Sequence, residues 1–249
     1  MKLYEALGIG PGEVVAFAGA GGKSGAIVEL CRELPEAGLR VLAVPTTKMF
    51  VSEAEKVGTL VTSEDPDVLR ERVAEALSAG EGAVVAGSGT LSKGRVGGVK
   101  PDQVPDLAAL ADVTLVEADG ARRRPIKGTE KHEPAIPEGT TLAVGVGGVW
   151  ALGRPLNEEN VHRPEVFSEL TGILPGHSIT AEAFAVALVK GSLGRVGENV
   201  RRVALITGVE PGPGMSEASM IARELWSLGV PDVVVTSLPF QSPPTIWSL

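Results

Sequence analysis

The stretch AFAGAGGKSGAIVEL, residues 16–30, passes from an apolar run into glycine and then at once into a helix-like pattern. Its central segment, residues 19–24, reads G-x-x-G-K-S. Glycines at such a strand-to-helix turn let backbone amides converge on an anion, and the N-terminus of the following helix adds a favourable dipole. The pattern therefore predicts a nucleotide phosphate-binding loop made by Gly19, Ala20, Gly21, Gly22, Lys23, Ser24 and Gly25.

This loop departs from the full Walker A pattern, G-x-x-x-x-G-K-[ST]. Phe17 occupies the position six residues before Lys23, where that pattern has its first glycine. A similar short form occurs in Mur-type ligases. In a nucleotide site Lys23 would reach the β- and γ-phosphates, and the Ser24 hydroxyl would bind Mg²⁺. The alternative is a tight turn with a solvated lysine.

Composition limits the class of protein. The 249 residues are 43% hydrophobic and 22% charged, which is typical of a globular chain. A net charge of -8 argues against a general binder of nucleic acid or of an anionic membrane, because such proteins carry a basic excess. The N-terminus lacks the apolar core of a signal peptide, and no apolar run is long enough to span a bilayer. We therefore expect a cytoplasmic protein with no membrane and no nucleic-acid partner.

Apolar, β-branched runs alternate with amphipathic stretches along the chain, and runs of this kind are typical of parallel strands covered on both faces. We expect one α/β domain over residues 1–249, P-loop NTPase-like, with a mostly parallel sheet flanked by helices in three layers and a mainly helical inserted section at about 150–193. The final segment, 239–249, would either dock on a partner or fold back onto the core. The predicted strands are 13–19, 40–45, 82–87, 112–120, 140–146, 201–208 and 231–237, and the predicted helices are 24–38, 63–80 and 215–229.

Two carboxylates lie at the end of the fourth predicted strand, in TLVEADGA. Glu117 and Asp119 lie two residues apart, and residues so spaced in an extended backbone face the same way. Both carboxylates could therefore meet one Mg²⁺ or its water, and with Lys23 they are the candidate catalytic residues; the alternative is a pair of solvated loop acids. Thr47, after the second strand, either binds metal or γ-phosphate or only caps a turn. The candidate metal ligands are Ser24, Thr47, Glu117 and Asp119.

A basic cluster stands out in this acidic chain. It follows the acidic pair and continues in the glycine-rich loop after the third strand, and in a parallel sheet both segments lie at the ligand-binding edge. Arginine there suits carboxylates and phosphates, although a solvated charge run explains such clusters equally well. His132 and His162, in proline-punctuated loops, are either acid–base candidates or structural residues. The cations are Lys93, Arg95, Lys100, Arg122, Arg123, Arg124, Lys127 and Lys131.

Several segments, taken in order, resemble the YqeC family, which is described as selenium cofactor biosynthesis proteins or as accessory proteins of selenium-dependent molybdenum hydroxylases. The resemblance spans about residues 10–240, and its most distinctive piece is EADGARRRPIK followed by HEP. The segments are FAGAGGKS, VPTTKM, GSGTLSKGRVGGVKP, LVEADGARRRPIKGTEKHEPAIP and VHRPEVFSELTG.

The resemblance implies a P-loop protein that uses Mg²⁺ and ATP (or GTP) in maturing such a hydroxylase. ITGVEPG, after the sixth strand, contains no N-K-x-D guanine-reading motif, so ATP is the default. Where the family commonly has two threonines after the lysine, this chain has Ser24 and Gly25. Ser24 keeps the metal-binding hydroxyl, but the second hydroxyl is lost.

The resemblance also implies partners: a nucleotide, a molybdopterin-type cofactor or selenium species, and the apo-hydroxylase. Whether the protein turns over a substrate stays open. The alternatives are a non-catalytic cofactor-binding chaperone and a Mur-like ATP-dependent ligase. An anionic substrate, such as the phosphate of a pterin cofactor, would be held by Arg122, Arg124, Lys127, His132, His162 and Arg163.

Overall fold

The computed structural model describes residues 1–80, 82–210, 212–237 and 242–249. Its strands are β1 (Glu13–Gly19), β2 (Val41–Pro45), β3 (Met49–Phe50), β4 (Thr59–Thr62), β5 (Val84–Gly87), β6 (Thr90–Leu91), β7 (Arg95–Val96), β8 (Val113–Glu117), β9 (Ile126–Lys127), β10 (Leu142–Gly148), β11 (Val161–His162), β12 (Arg201–Thr207), β13 (Asp232–Val235) and β14 (Thr245–Ser248). Its α-helices are α1 (Leu3–Ala6), α2 (Lys23–Glu36), α3 (Val51–Val57), α4 (Pro66–Ala79), α5 (Val104–Ala108), α6 (Pro164–Thr171), α7 (Ala181–Val186) and α8 (Pro213–Ser227).

Nine strands form one sheet in the order β14-β13-β12-β10-β1-β8-β2-β5-β4. Neighbouring strands are parallel except for β13 and β14, which are antiparallel. All seven predicted strands lie in this sheet, so the prediction of an α/β fold with a mostly parallel sheet is confirmed. The glycine loop leaves the carboxyl end of the central strand β1, between the ends of β8 and β10, which is where ligands bind in open parallel sheets.

Helices cover both faces of the sheet because alternate strand residues point to opposite layers. Val15 and Phe17 of β1 pack in a cluster with α1, α2 and α3. Ala16, between them, belongs to a cluster that includes α4 and α5. A third cluster packs β10, β12 and β13 against α6, α7 and α8. The apolar runs of the strands are therefore buried from both sides, as the predicted three-layer arrangement requires.

Several short elements were not predicted. They include the helices α1, α3 and α5, the edge strand β4, the three-stranded sheet β3-β7-β6, the pair β9-β11 and the terminal strand β14. Trp247 of β14 is opposite Val233 of β13 and packs against the core, so residues 242–249 fold back onto the sheet. Residues 239–241 of the same segment lie outside the described residues.

The section 150–193 contains α6, α7 and a π-helical segment, Ala187–Ser192, that continues α7. Phe184 and Leu188 from these elements are buried in the core against the sheet. The division of the chain into one domain with an inserted section stays a prediction. Within the described ranges, no helix has the length and apolar character needed to cross a membrane.

The loop between β1 and α2 is packed tightly against the neighbouring strand. Gly19, Gly21 and Gly22 all have positive φ, at 102°, 71° and 133°. A Cβ on Gly19 would lie 2.3 Å from the Val146 carbonyl oxygen, and a Cβ on Gly21 would lie 2.3 Å from the Gly148 nitrogen. Both contacts are with backbone of β10, which cannot move aside. The glycines are therefore required by packing as well as by backbone conformation.

We expect Gly21→Ala to lower the free energy of unfolding by about 2 kcal/mol or more, because backbone strain and a backbone clash add together. Gly38→Ala is the matched control: Gly38 also has a positive φ, 83°, but no heavy atom lies within 4 Å of its added Cβ. The control should lose only about 1–2 kcal/mol. Urea unfolding of both variants measures the difference, and equal losses would contradict the packing argument.

Candidate functional site

The first turn of α2 presents unsatisfied amides. Within the part of the chain that the structure describes, no group accepts a hydrogen bond from the backbone N–H groups of residues 22–25. The Ala20 amide, by contrast, donates to the Val146 carbonyl at 2.9 Å, and the Gly21 amide donates to the Arg124 carbonyl at 2.9 Å. The Thr207 hydroxyl donates to the Gly21 carbonyl. The loop is thus fixed on its inner side and offers free donors on its outer side, at the positive end of a helix.

Lys23 is turned inward beneath the loop. Its ammonium group donates to the Gly19 carbonyl oxygen at 2.5 Å and lies 3.0 Å from Asp119 Oδ1. The side chain is only 4% exposed. Lys23 is therefore almost wholly buried, and in this structure its charge is paired with a carboxylate below the loop.

Asp119 is fully buried and is surrounded by donors. The Gly19 amide donates to both of its oxygens, at 3.2 and 3.0 Å, and Lys127 Nζ lies 3.0 Å from Oδ2. Lys127 is buried as well, and it also donates to the Gly120 carbonyl at 2.9 Å and to Glu133 Oε2 at 2.7 Å. The structure therefore places these two predicted site residues inside the protein, where they hold the loop, and not on the cleft surface.

Glu117 occupies the outer position. Its Oε1 accepts a hydrogen bond from the Ser24 hydroxyl at 3.0 Å. Burial raises the pKa of Glu117, and the charge of Lys23 together with the Ser24 hydrogen bond opposes that rise. The Thr46 hydroxyl donates to the Glu117 carbonyl at 2.9 Å, and the neighbouring Thr47 lines the same cleft.

The side-chain oxygen atoms of Ser24, Glu117 and Thr47 are suitable ligands for a Mg²⁺ ion that binds together with phosphates. Among the described residues no cluster of three or more His, Cys, Asp or Glu side chains could hold a metal alone. Magnesium at nucleotide sites needs only one or two protein ligands, because phosphates and water complete its shell. Ser24 and Glu117 have the right chemistry and are already adjacent, whereas both Asp119 oxygens are occupied.

A cleft of about 1160 Å³ opens in front of the loop. The free amides of α2, Glu117 and Thr47 lie on its wall. Although the chain carries a net charge of -8, cations outnumber carboxylates along this cleft. The cations are Lys23, Lys48, Arg95, Arg122, Arg123, Arg124 and Arg163, and the carboxylates are Glu53, Glu117, Glu133, Glu158 and Glu165.

Three of the cleft arginines have left-handed backbone conformations. The φ angles of Arg122, Arg123 and Arg163 are 45°, 60° and 59°. Such angles are uncommon for long side chains and cluster at functional sites, where the surrounding structure maintains the strain. Arg122 makes no hydrogen bond or ion pair within the described chain, whereas Arg123 lies 2.7 Å from Glu53. The strained backbone thus brings guanidinium groups to the cleft wall, and one of them is left unpaired.

Arg163 is the outermost member of a series of buried and half-buried ion pairs that runs from Asp119 through Lys127 and Glu133. It contacts Glu133 at 2.5 Å and Glu130 at 3.0 Å, and Glu133 in turn contacts Lys127. Burial alone would raise the pKa of Glu133, but the hydrogen bonds and charges of Arg163 and Lys127 outweigh it and lower this pKa to about 2. Glu133 is therefore an anion that anchors Arg163 at the cleft wall.

The two candidate histidines lie in different surroundings. His162 lines the cleft, and its pKa is lowered to about 4, first by burial and then by the charges of Arg163, Lys127 and Arg122. At neutral pH it is an uncharged hydrogen-bonding group. His132 is 72% exposed, lies 3.3 Å from Glu130 and does not line the cleft.

Sequence reasoning did not single out every cleft residue. Trp150, Phe50, Glu53, Glu133 and Glu158 line the wall and were not predicted to do so. Glu133 stands in the HEP segment, so its position beside the basic cluster was the only signal. Trp150 follows β10, and Phe50 lies in β3. Their position beside the glycine loop depends on the order of the strands in the sheets, which no local sequence pattern gives.

We expect the free energy of unfolding to fall as the pH is lowered from about 6.5 to about 4. His162 stays neutral in the folded protein, whereas the unfolded chain takes up a proton near the ordinary histidine value of about 6.5. Since the unfolded state binds more protons in this window, acid favours unfolding. In the His162→Asn variant the free energy of unfolding should fall less steeply with decreasing pH. Urea unfolding at about pH 7, 6 and 5 measures this slope. An unchanged slope would contradict this origin.

Removing the buried ammonium of Lys127 should be costly. Lys127→Met leaves Asp119 and Glu133 with one cation fewer in a dry environment, and we expect a loss of about 3–5 kcal/mol in the free energy of unfolding. Lys48→Met is the control, since Lys48 makes no ion pair within the described chain and should stay within about 0.5 kcal/mol of the wild type. Thermal or urea unfolding of the two variants tests the assignment, and similar losses would contradict it.

Comparison with known proteins agrees with this arrangement of segments. The family model described as YqeC protein matches residues 15–165, which include the glycine loop, the acidic pair, the basic cluster and Arg163. A protein of Escherichia coli strain K12 named uncharacterized protein YqeC is 33% identical over 198 residues, covering 78% of this chain and 75% of that protein. The chain belongs to the YqeC family.

Proposed function

We propose that this protein binds the phosphates of a nucleoside triphosphate, ATP by default, at the N-terminus of α2. The observation that carries the proposal is the set of free amides at residues 22–25, which faces a cationic cleft beside the Ser24–Glu117 pair. An anion at a helix N-terminus satisfies these donors and interacts favourably with the helix dipole. A solvated turn would require neither the cationic wall nor a carboxylate, Glu117, that accepts a hydrogen bond from Ser24.

Phosphate binding would engage Lys23 by drawing its ammonium out of the loop. Asp119 now holds two ammonium groups, from Lys23 and Lys127. When Lys23 turns to a phosphate, Lys127 and the Gly19 amide remain bound to Asp119, so that the buried carboxylate keeps its compensation. Asp119 and Lys127 thus support the loop from below, while Lys23 is the group that changes partner.

Ser24, Glu117 and Thr47 would hold Mg²⁺ on the phosphates. The ion would neutralise charge on the phosphate oxygens when bound. The second carboxylate oxygen of Glu117 would accept a hydrogen bond from a metal-bound water or orient a nucleophile. Asp119 has no free oxygen for either task.

A second, anionic substrate would bind farther along the cleft. Among the described residues Arg122 has no partner, Arg124 donates to the Glu158 carbonyl at 2.7 Å, and Arg163 is anchored by Glu133. These guanidinium groups and neutral His162 suit a phosphate or carboxylate. Lys127 and His132 are left out of this surface, because the first is buried and the second lies outside the cleft.

The biological setting is proposed from the family resemblance. On the basis of this resemblance, the protein would be a cytoplasmic accessory factor in the maturation of selenium-dependent molybdenum hydroxylases. Its second ligand would be a molybdopterin-type cofactor or a selenium species, which it would deliver to the apo-hydroxylase. The cationic cleft supports the choice of an anionic cofactor. A carrier that hands on its ligand without turnover is the alternative, and it would use the same glycine loop.

Titration calorimetry with Mg-ATP tests the phosphate site. We expect Lys23→Ala to weaken binding at least about ten-fold, since a charge-assisted contact to phosphate is lost. Lys56→Ala, which removes an exposed lysine of α3 outside the cleft, should bind like the wild type. Binding that is insensitive to both Lys23→Ala and the removal of Mg²⁺ would contradict the proposal.

Glu117→Gln separates an enzyme from a carrier. If the protein hydrolyses or transfers phosphate, this variant should keep most of the Mg-ATP affinity, because the glutamine amide oxygen can still reach the metal, and lose about 100-fold or more in phosphate release. Asp119→Asn is a poorer choice, because it disturbs buried ion pairs that hold the loop. Mg-ATP binding without any phosphate release by the wild type, with the second ligand present, would favour the carrier.

A further inference from the structure

One large aromatic side chain in the cleft has no task in the function proposed above. Trp150 stands in a short 3-10 turn that follows β10, and it lines the cleft. Its side chain is 41% exposed, although tryptophan is among the residues that gain most from burial. An indole kept in a polar cleft is therefore a candidate ligand contact.

The Trp150 ring packs directly against the backbone of two glycines, Gly148 and Gly208. A Cβ built on Gly148 would lie 2.5, 2.6 and 2.7 Å from three consecutive carbons of the Trp150 benzo ring, so the ring lies face-on over this residue. A Cβ built on Gly208 would lie 2.4 and 2.5 Å from two ring carbons but 3.7 Å from the next, which places Gly208 at the ring edge. One face and one edge of the ring thus contact backbone, which leaves the opposite face available to the cleft that Trp150 lines.

The ring stands beside the glycine loop. The Gly148 nitrogen would lie 2.3 Å from a Cβ on Gly21, and the same amide donates to the Pro125 carbonyl at 2.8 Å. Gly148, which supports the indole, therefore also packs against the loop. The indole lies on the β10 side of the loop, whereas the Ser24–Glu117 pair lies on the β8 side. The amides of α2 and the indole therefore line one and the same cleft, on either side of which a single ligand could make contacts.

We propose that the open face of Trp150 is the platform on which the base of the bound nucleotide stacks. This inference rests on the proposed function, and it names the part of the ligand that the phosphate site leaves without a partner. A nucleotide joins a planar ring to a polyphosphate, and the cleft offers a flat apolar face beside an anion site. Base–aromatic stacking needs no hydrogen-bond motif, in keeping with the absence of N-K-x-D after β12.

Phe50 is a second exposed aromatic residue of the cleft, and it is less suited to this task. The Arg95 guanidinium lies 4.9 Å from the centre of its ring, so that one face already has a cationic partner. It also stands in β3, which pairs with β7 outside the main sheet. Phe50 therefore provides a matched control in the same cleft.

Comparing ATP with inorganic tripolyphosphate, both with Mg²⁺, separates the base from the phosphates. By calorimetry, Trp150→Ala should weaken ATP binding on the order of ten-fold and leave tripolyphosphate binding within about two-fold of the wild type. Trp150→Phe should retain most of the ATP affinity, because a phenyl ring still stacks. Phe50→Ala should leave both affinities unchanged.

Intrinsic fluorescence supplies a second readout. ATP should quench the wild-type emission, and the quench should persist in Trp226→Phe and disappear in Trp150→Phe, which still binds. ATP binding that is equally tight in wild type and Trp150→Ala would overturn the platform, and so would equal weakening of ATP and tripolyphosphate. Failure of the wild type to bind either compound would instead refute the phosphate site, and the platform with it.

Discussion

The arrangement of the site depends on one buried carboxylate. Asp119 has no access to water, and a charge in that position is tolerated only when donors surround it. The Gly19 amide, Lys23 and Lys127 supply those donors, and the three groups come from the start of the loop, its end and a separate strand, β9. The same contacts set the course of the glycine loop, leave the amides of the first turn of α2 facing outward, and keep the acidic pair from acting as a pair.

Most of the sheet could be predicted because its strands are buried on both faces. A parallel strand between two helical layers is apolar at almost every position, and β1, β2, β10 and β12 are recognisable on that ground alone. The missed strands lack this signal. β4 is a half-buried edge strand of four residues, and β14 pairs with β13 through contacts that no local pattern encodes. The two-residue strands depend wholly on the loops in which they occur.

The site could be predicted to the level of segments and not of side-chain direction. Spacing predicted that Glu117 and Asp119 face the same way, and in the structure both contact the glycine loop, at Ser24 and at Gly19. The strand ends at Glu117, however, so strict alternation no longer governs Asp119. Its burial depends on Lys127, which appeared in the sequence as one more member of a basic run. Nothing local distinguishes an inward lysine from the arginines beside it.

The contrast between the cationic cleft and the acidic remainder of the chain has a kinetic consequence. Small anions approaching from solution are repelled by most of the surface and attracted only at short range, where the cleft walls concentrate the field. Ions screen charges over about 10 Å at 0.1 M salt, so added salt first removes the distant repulsion, while the contacts inside the cleft persist. If the cleft binds an anion as proposed, capture would depend less on ionic strength than capture by a uniformly basic surface, and it would favour ligands small enough to enter over long polyanions that must also touch the rim.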